Sequence, residues 1–218
     1  MRAICVFFAT LGFVSLVTFA AGAVAIEWVL RDVPRPTAPA EAPTLVHRGF
    51  ACVSTPRNRG WLRSALIRHP QAETIAHRHA FSLKIKTLER IPVEWALSIW
   101  LSRHTDDDQL ARLAGDTVWL GRGAFGLEEA ALAWFGRPLE RLSLEQSALL
   151  VALEQAPQVL DPTRAPTRAH ARRQDVLHAW ETCGLIAAGT AAQLQATPVL
   201  EGVLLPGTPL ATSLEHEE

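Results

Sequence analysis

Apolar residues fill the chain's first stretch, and periods of three and four organise most of the remainder. Ala3 to Ile26 is an unbroken run of 24 residues without charge, flanked by Arg2 and Glu27. As a helix rising about 1.5 Å per residue, the run exceeds the roughly 30 Å hydrocarbon thickness of a bilayer. It predicts a transmembrane anchor within residues 1–30. A secretory signal peptide is the competing reading, since Ala21-Gly22-Ala23 and Ala23-Val24-Ala25 both have cleavage-site spacing. The run is long for a signal core of about 7–15 residues, which favours the anchor. Either reading carries the rest of the chain out of the cytoplasm, and Arg2 favours a cytoplasmic N-terminus.

Val33 to Pro43 then reads VPRPTAPAEAP, with four prolines and three alanines. Proline fixes φ and removes a backbone donor, so this stretch predicts an extended spacer, assigned to residues 31–59. From about Gly60 the pattern is helical. In Trp61 to Arg68, Leu62, Ala65 and Leu66 share a face. Pro92 precedes Val93 to Arg103, where it suits a first helical turn, with Val93, Leu97 and Trp100 on one side. Thr105-Asp106-Asp107-Asp108 offers capping oxygens for a helix over Gln109 to Ala114. Leu127 to Phe135 is stopped by Gly136 and Pro138. Ser143, three residues before Gln146, has capping-box spacing for a helix to Leu153. Thr167 to Cys183 ends at Gly184, a common left-handed terminator. No period-2 alternation is sustained in the body, so the fold class is all-α. Leu97, Trp100, Leu149, Leu150 and Leu153 are expected core residues, as are Trp95, Trp119 and Trp134. The chain from Pro198 is expected to be a loose tail.

Charge narrows the functional classes. With 21 basic and 22 acidic residues the chain lacks the basic surplus that phosphate neutralisation demands, so a nucleic-acid partner is not expected. Of Cys5, Cys52 and Cys183, the first lies in the apolar run, which leaves one possible pair whose geometry sequence cannot establish. The cysteines argue neither for a zinc site nor for a disulfide framework. His77 and His79 are two apart, about 200° on a helix, poor geometry for one metal. Arg164, Arg168, Arg172 and Arg173 read as a solvated helix face, with anionic headgroups as a conceivable partner.

The segment from Leu113 to Arg173 carries a series of motifs in order. Gly121, Gly123 and Gly126 form Gly-x-Gly-x-x-Gly; Trp134-Phe135-Gly136-Arg137 makes an aromatic-Phe-Gly-basic turn. Leu142 to Leu149 reads Leu-Ser-Leu-Glu-Gln-Ser-Ala-Leu, followed by Gln155-Ala156-Pro157 and Asp161-Pro162. Together these resemble the family 51 glycosyltransferase domain of peptidoglycan glycosyltransferases and class A penicillin-binding proteins. The resemblance is strongest there and extends, fading, from Trp61 to Pro198. It assigns residues 60–198 to a glycosyltransferase-like helical domain and 199–218 to the tail. It implies a lysozyme-like helical fold, lipid II or glycan strands as substrate, and an address outside the bacterial cytoplasmic membrane. The membrane and other cell-wall enzymes are the further partners it suggests.

Upstream, Thr87-Leu88-Glu89-Arg90-Ile91-Pro92-Val93-Glu94 occupies the place of the family's Thr-Leu-x-Arg-Lys-x-x-Glu. Glu94 takes the position of the second acid and Arg90 that of the arginine. Ile91 replaces the lysine, and Ser102 a later acid. Glu73 to Arg78 keeps only Thr74 and Ile75 of a Ser-Thr-Ile-Thr-Gln-Gln motif. In the first motif, Glu-Asp-x-x-Phe-x-x-His-x-Gly, His47 and Gly49 match the tail, but the glutamate falls on Ala40, with Glu41 one residue away.

The implied chemistry is attack of a sugar 4-hydroxyl on an anomeric carbon bearing a lipid pyrophosphate. The hydroxyl needs a positioned base, and the leaving group needs cations, a metal or N–H donors. The catalytic candidates are Glu94 and Glu41. Thr74, His77, Arg78, Arg90 and Arg122 are the candidate substrate-binding residues. No cofactor is assigned, and a divalent metal remains open. Two functions are compatible with these residues: a glycosyltransferase of reduced or no activity, and an inactive relative that binds lipid II, glycan or a cell-wall enzyme as scaffold or regulator.

Overall fold

The structure, a computed structural model, describes residues 21–37, 41–53, 67 and 69–205. Residues 21–29 are helical. Beyond them lie α1 (Leu45–Val53), α2 (Pro70–Ser82), α3 (Thr87–His104), α4 (Asp107–Asp116), α5 (Leu127–Phe135), α6 (Leu144–Ala152), α7 (Pro166–Thr182) and α8 (Thr190–Gln193). Among the described residues the β structure is limited to an isolated antiparallel bridge between Trp119 and Phe125, in keeping with an all-α chain. No helix among the described residues is long and apolar enough to cross a membrane. Residues 3–20 of the expected anchor lie outside the described residues, as does nearly all of the helix expected over Trp61 to Arg68.

Two compact units divide the chain. One comprises Met1–Pro36 and Trp61–His104; the other comprises Thr37–Gly60 and Thr105–Glu218. The expected core therefore splits: Leu97 is buried in the first unit, and Leu149, Leu150 and Leu153 in the second. Trp100, half-buried, belongs to the first, where it stacks on His104 and carries the Arg35 guanidinium over its ring.

In the first unit α2 packs along α3. Ala72, Ala76 and Ala80 recur every four residues on α2, forming a buried face of small side chains, and Leu97 and Leu101 are buried on the partner helix. The helix expected to open at Val93 opens at Thr87 instead, with Pro92 inside it. Pro92 is the sixth residue of the helix, past the four N–H groups that lack helical partners, so the proline forfeits one backbone bond. Lys86 O accepts from Glu89 N and Arg90 N, starting the turn upstream of the proline.

In the second unit α1 contacts α4, α6 and α7, and α6 packs on α7. The spacer expected over 31–59 thus contains a packed helix, since Val46, His47, Gly49 and Phe50 of α1 are buried. The helix ends obey their local signals. Asp106 with Gln109, and Ser143 with Gln146, form complete capping boxes. Gly136 closes α5 at φ 63°, its N–H on Leu132 O.

The structure corrects two further expectations. Arg173, expected on a solvated face, is 1% exposed and lies within the α7 stripe of Ala169, Val176, Leu177 and Trp180. Its guanidinium donates to Thr197 O at 2.6 Å and Pro198 O at 3.4 Å, which is what makes its burial tolerable. The chain past Pro198, expected to be loose, is docked as far as Leu204: Val199 and Val203 are buried, and Leu204 N donates to Trp134 O. Residues 206–218 lie outside the described residues. Cys52 and Cys183 form a disulfide that ties α1 to the end of α7 across 131 residues, a pairing the sequence left open.

Candidate functional site

Glu94 is the centre of a polar cluster in the first unit. Its Oε1 lies 3.1 Å from Arg90 Nε and 3.0 Å from His77 Nδ1. Arg90 precedes it by one turn of α3, so the helix itself brings the pair together. His77 comes from α2, and its approach depends on the α2–α3 packing. The Glu94 side chain is 23% exposed and that of His77 59%, so the cluster opens to solvent while its carboxylate is half-shielded. Thr74 lies three residues before His77 on α2, the spacing of a shared face; Arg78, also half-buried, follows His77. Ile91, at the place of the expected cation, is 59% exposed. Ser102, at the place of an expected acid, is buried and accepts from His69 N at 3.3 Å, just ahead of α2. A position that offered charge has become part of the helix packing.

Five of the candidate residues, Thr74, His77, Arg78, Arg90 and Glu94, thus belong to one unit. Glu41 and Arg122 belong to the other, where each has partners of its own. Glu41 accepts from Arg112 Nη2 at 2.8 Å; the glutamate is 81% exposed, and the arginine is buried. Arg122 has φ 51° and lies with its guanidinium 3.9 Å from the centre of the Trp134 ring. It donates to Ala133 O at 3.0 Å and Leu204 O at 2.8 Å. Those carbonyls belong to the end of α5 and to the docked C-terminal segment, so Arg122 acts as a brace between them, and burial lowers its pKa.

The tail of the first motif is also committed to packing. His47 is fully buried, with Nδ1 facing Thr44 Oγ1 at 2.7 Å and accepting from Thr44 N at 3.3 Å. That leaves Nε2 to carry the proton toward Asp116 Oδ1, 3.4 Å away. Gly49 lies against the Trp180 indole so closely that a Cβ there would sit 2.3 Å from the ring. Near this group, desolvation raises the pKa of Glu128, with Glu140 and Asp116 adding repulsion and His47 and Arg112 opposing it.

Sequence reasoning missed Asp116 as the partner of His47, Glu128 as a perturbed carboxyl, and the exposure of Trp119. The last had a signal: VWLGRGAFG is a glycine turn flanked by alternating residues, the pattern of a short hairpin. Among the described residues, no three His, Cys, Asp or Glu side chains converge as metal ligands.

The chain's similarities agree with this geometry. The family model described as Transglycosylase matches residues 72–181, which takes in α2 to α7. Penicillin-binding protein 1A of Aquifex aeolicus is 39% identical over 100 residues, covering 46% of this chain and 14% of that protein. Penicillin-binding protein 1A of Rickettsia conorii is 34% identical over 114 residues, 52% of this chain and 14% of its own length. That of Pseudomonas aeruginosa is 30% identical over 112 residues, 51% of this chain and 13% of its own. The chain therefore spans about a seventh of the length of these relatives. With Glu94 and Arg90 paired on α3 and the family match running over half its length, the chain belongs to the transglycosylase family, the family 51 glycosyltransferase domain.

Proposed function

We propose that this protein engages lipid II or glycan strands in peptidoglycan synthesis, through a lysozyme-like helical domain on the outer face of the bacterial cytoplasmic membrane, with polymerising activity reduced or lost. The Arg90–Glu94–His77 cluster carries the reading. It holds two cation-capable groups, the residue types needed beside a departing pyrophosphate, on one half-shielded carboxylate. The same cluster argues for weak chemistry. Exposed Ile91 stands where a further cation would help the leaving group, and Glu41, nearest the missing first-motif acid, is engaged by Arg112.

A specific observation also favours the second reading, an inactive scaffold or regulator. Arg122, His47 and Gly49, three motif positions, are given over to bracing and packing, so the family's fold is kept without its full catalytic set. The test is the purified full-length protein with labelled lipid II, followed by gel analysis of products. Little or no polymer is expected, with lipid II still retained and with retention weakened by Arg90→Ala. A positioned base contributes about 10²–10⁴-fold, so its loss alone would bring turnover near background. Robust polymer that Glu94→Gln abolishes would overturn the reduced-activity reading.

A further inference from the structure

The turn between α4 and α5 presents two aromatic side chains where a folded chain ordinarily places polar ones. Gly126 N donates to Val118 O and Leu120 N to Ala124 O, which makes Trp119 and Phe125 the non-hydrogen-bonded pair between them. In such a pair the side chains leave the same face at the closer of the two cross-strand spacings, about 4.5 Å between Cα atoms. The alternation is complete. Val118, Leu120 and Ala124 are buried, whereas Trp119 is 37% exposed and Phe125 61%.

The turn that carries them is braced. Gly121, Gly123 and Gly126 hold positive φ, and Ala124 N closes on Gly121 O. Arg122 is fixed on Trp134, and the outward N–H of Phe125 is taken by Glu129 Oε2 at 3.0 Å. Two aromatic faces are therefore preorganised rather than left to rotate as surface side chains. The ionisable groups around them narrow the occupant. Glu129 carries its carboxylate to the Phe125 N–H, while Arg122, the cation of the same turn, is held on the Trp134 ring and on the Ala133 and Leu204 carbonyls. Anionic lipid headgroups would meet repulsion there, whereas sugar hydroxyls would find acceptors.

We infer that Trp119 and Phe125 form a stacking platform for a pyranose ring of a glycan strand, with Glu129 accepting from ring hydroxyls at its edge. A pyranose matches both parts, since its C–H face is apolar and its rim is a belt of donors. The inference rests on the proposed glycan-engaging function and names residues that function did not use.

The test is titration calorimetry of the full-length protein with soluble, uncross-linked peptidoglycan glycan strands, beside sedimentation with phosphatidylglycerol–phosphatidylcholine vesicles. Trp119→Ala and Phe125→Ala are each expected to weaken strand binding about three- to tenfold, the scale of one aromatic contact, and Trp119→Phe to retain most of it. Phe125, the more exposed of the two, guards against a folding artefact, with circular dichroism as the check. Unchanged strand binding in both alanine variants would overturn the platform and leave the proposed function standing. Loss confined to vesicle binding would overturn it in favour of a membrane contact. Failure of the unaltered protein to bind strands would overturn the platform and the glycan-engaging function together.

Discussion

Glu128 shows how burial outweighs a favourable local field at a single residue. It lies in the first turn of α5, where the helix dipole favours a carboxylate, yet desolvation raises its pKa and the charges of Glu140 and Asp116 push the same way. The folded state thus holds this proton to a higher pH than the unfolded chain does. Stability is consequently lost as pH rises from the unfolded carboxyl value, about 4.3, through the folded one, and the penalty is complete above that. Glu128→Gln is expected to raise the melting temperature near pH 7 and to have no such effect at pH 3. Glu181 has the opposite sign. The Ala191 N–H, 2.8 Å from its Oε1, leads the causes that lower its pKa. Its contribution is present above the unfolded value and lost as pH falls through the folded one. Glu181→Gln should therefore destabilise at pH 7, and the difference should fade on acidification. Melting curves of both variants from pH 3 to pH 7.5 check the pair.

Between elements, α1 and α7 meet through a glycine and a tryptophan. Trp180 is fully buried, and a Cβ on Gly49 would overlap its ring edge. Gly49→Ala must displace either the indole or the helix, and overpacking of this kind costs about 1–3 kcal/mol. At Gly123 a Cβ would meet nothing within 4 Å, so Gly123→Ala suffers only the strain of its φ of 78°, about 1 kcal/mol. Denaturant melts should rank Gly49→Ala as the more damaging; equal effects would mean that α1 and α7 do not pack this closely. The contrast also shows what sequence makes legible at this scale. The capping box at Ser143 was readable because cap and partner are three residues apart, and Asp106 lies within the run read as capping oxygens. Glu94 and Arg90 were readable for the same reason, one turn apart on α3, whereas the His77 contact requires knowing how α2 lies on α3. The neighbours of His47 and Gly49, Asp116 and Trp180, are distant in sequence and could not be read from motif spacing. The outward face of Trp119 had a signal in the alternation around the glycine turn, but tryptophan is usually a core residue, and the pairing with Phe125 decides the face.

For the whole molecule, the three cysteines link stability to address. Cys52–Cys183 closes a loop across 131 residues, and the chain-entropy account gives such a closure about 5 kcal/mol. Such bonds persist in oxidising compartments and are rare in the cytoplasm, which supports export of the helical body. Cys5, by contrast, lies in the apolar run that is expected to be either a retained anchor or a cleaved signal. The proposed placement therefore yields a count. Protein isolated from its own cell envelope, denatured without reductant and alkylated, should take up one alkyl group, on Cys5, and three after reduction. It should also stay in the membrane fraction through a carbonate wash. No uptake before reduction, with a mature chain beginning near Ala25, would replace the anchor by a signal peptide and leave the exported address intact. Three groups before reduction would mean that the pair is not oxidised in the cell, and the argument for an exported body would then lose its chemical support. Intact-protein mass spectrometry separates all three outcomes, because each alkyl group adds a fixed mass and removal of the N-terminal run takes Cys5 with it.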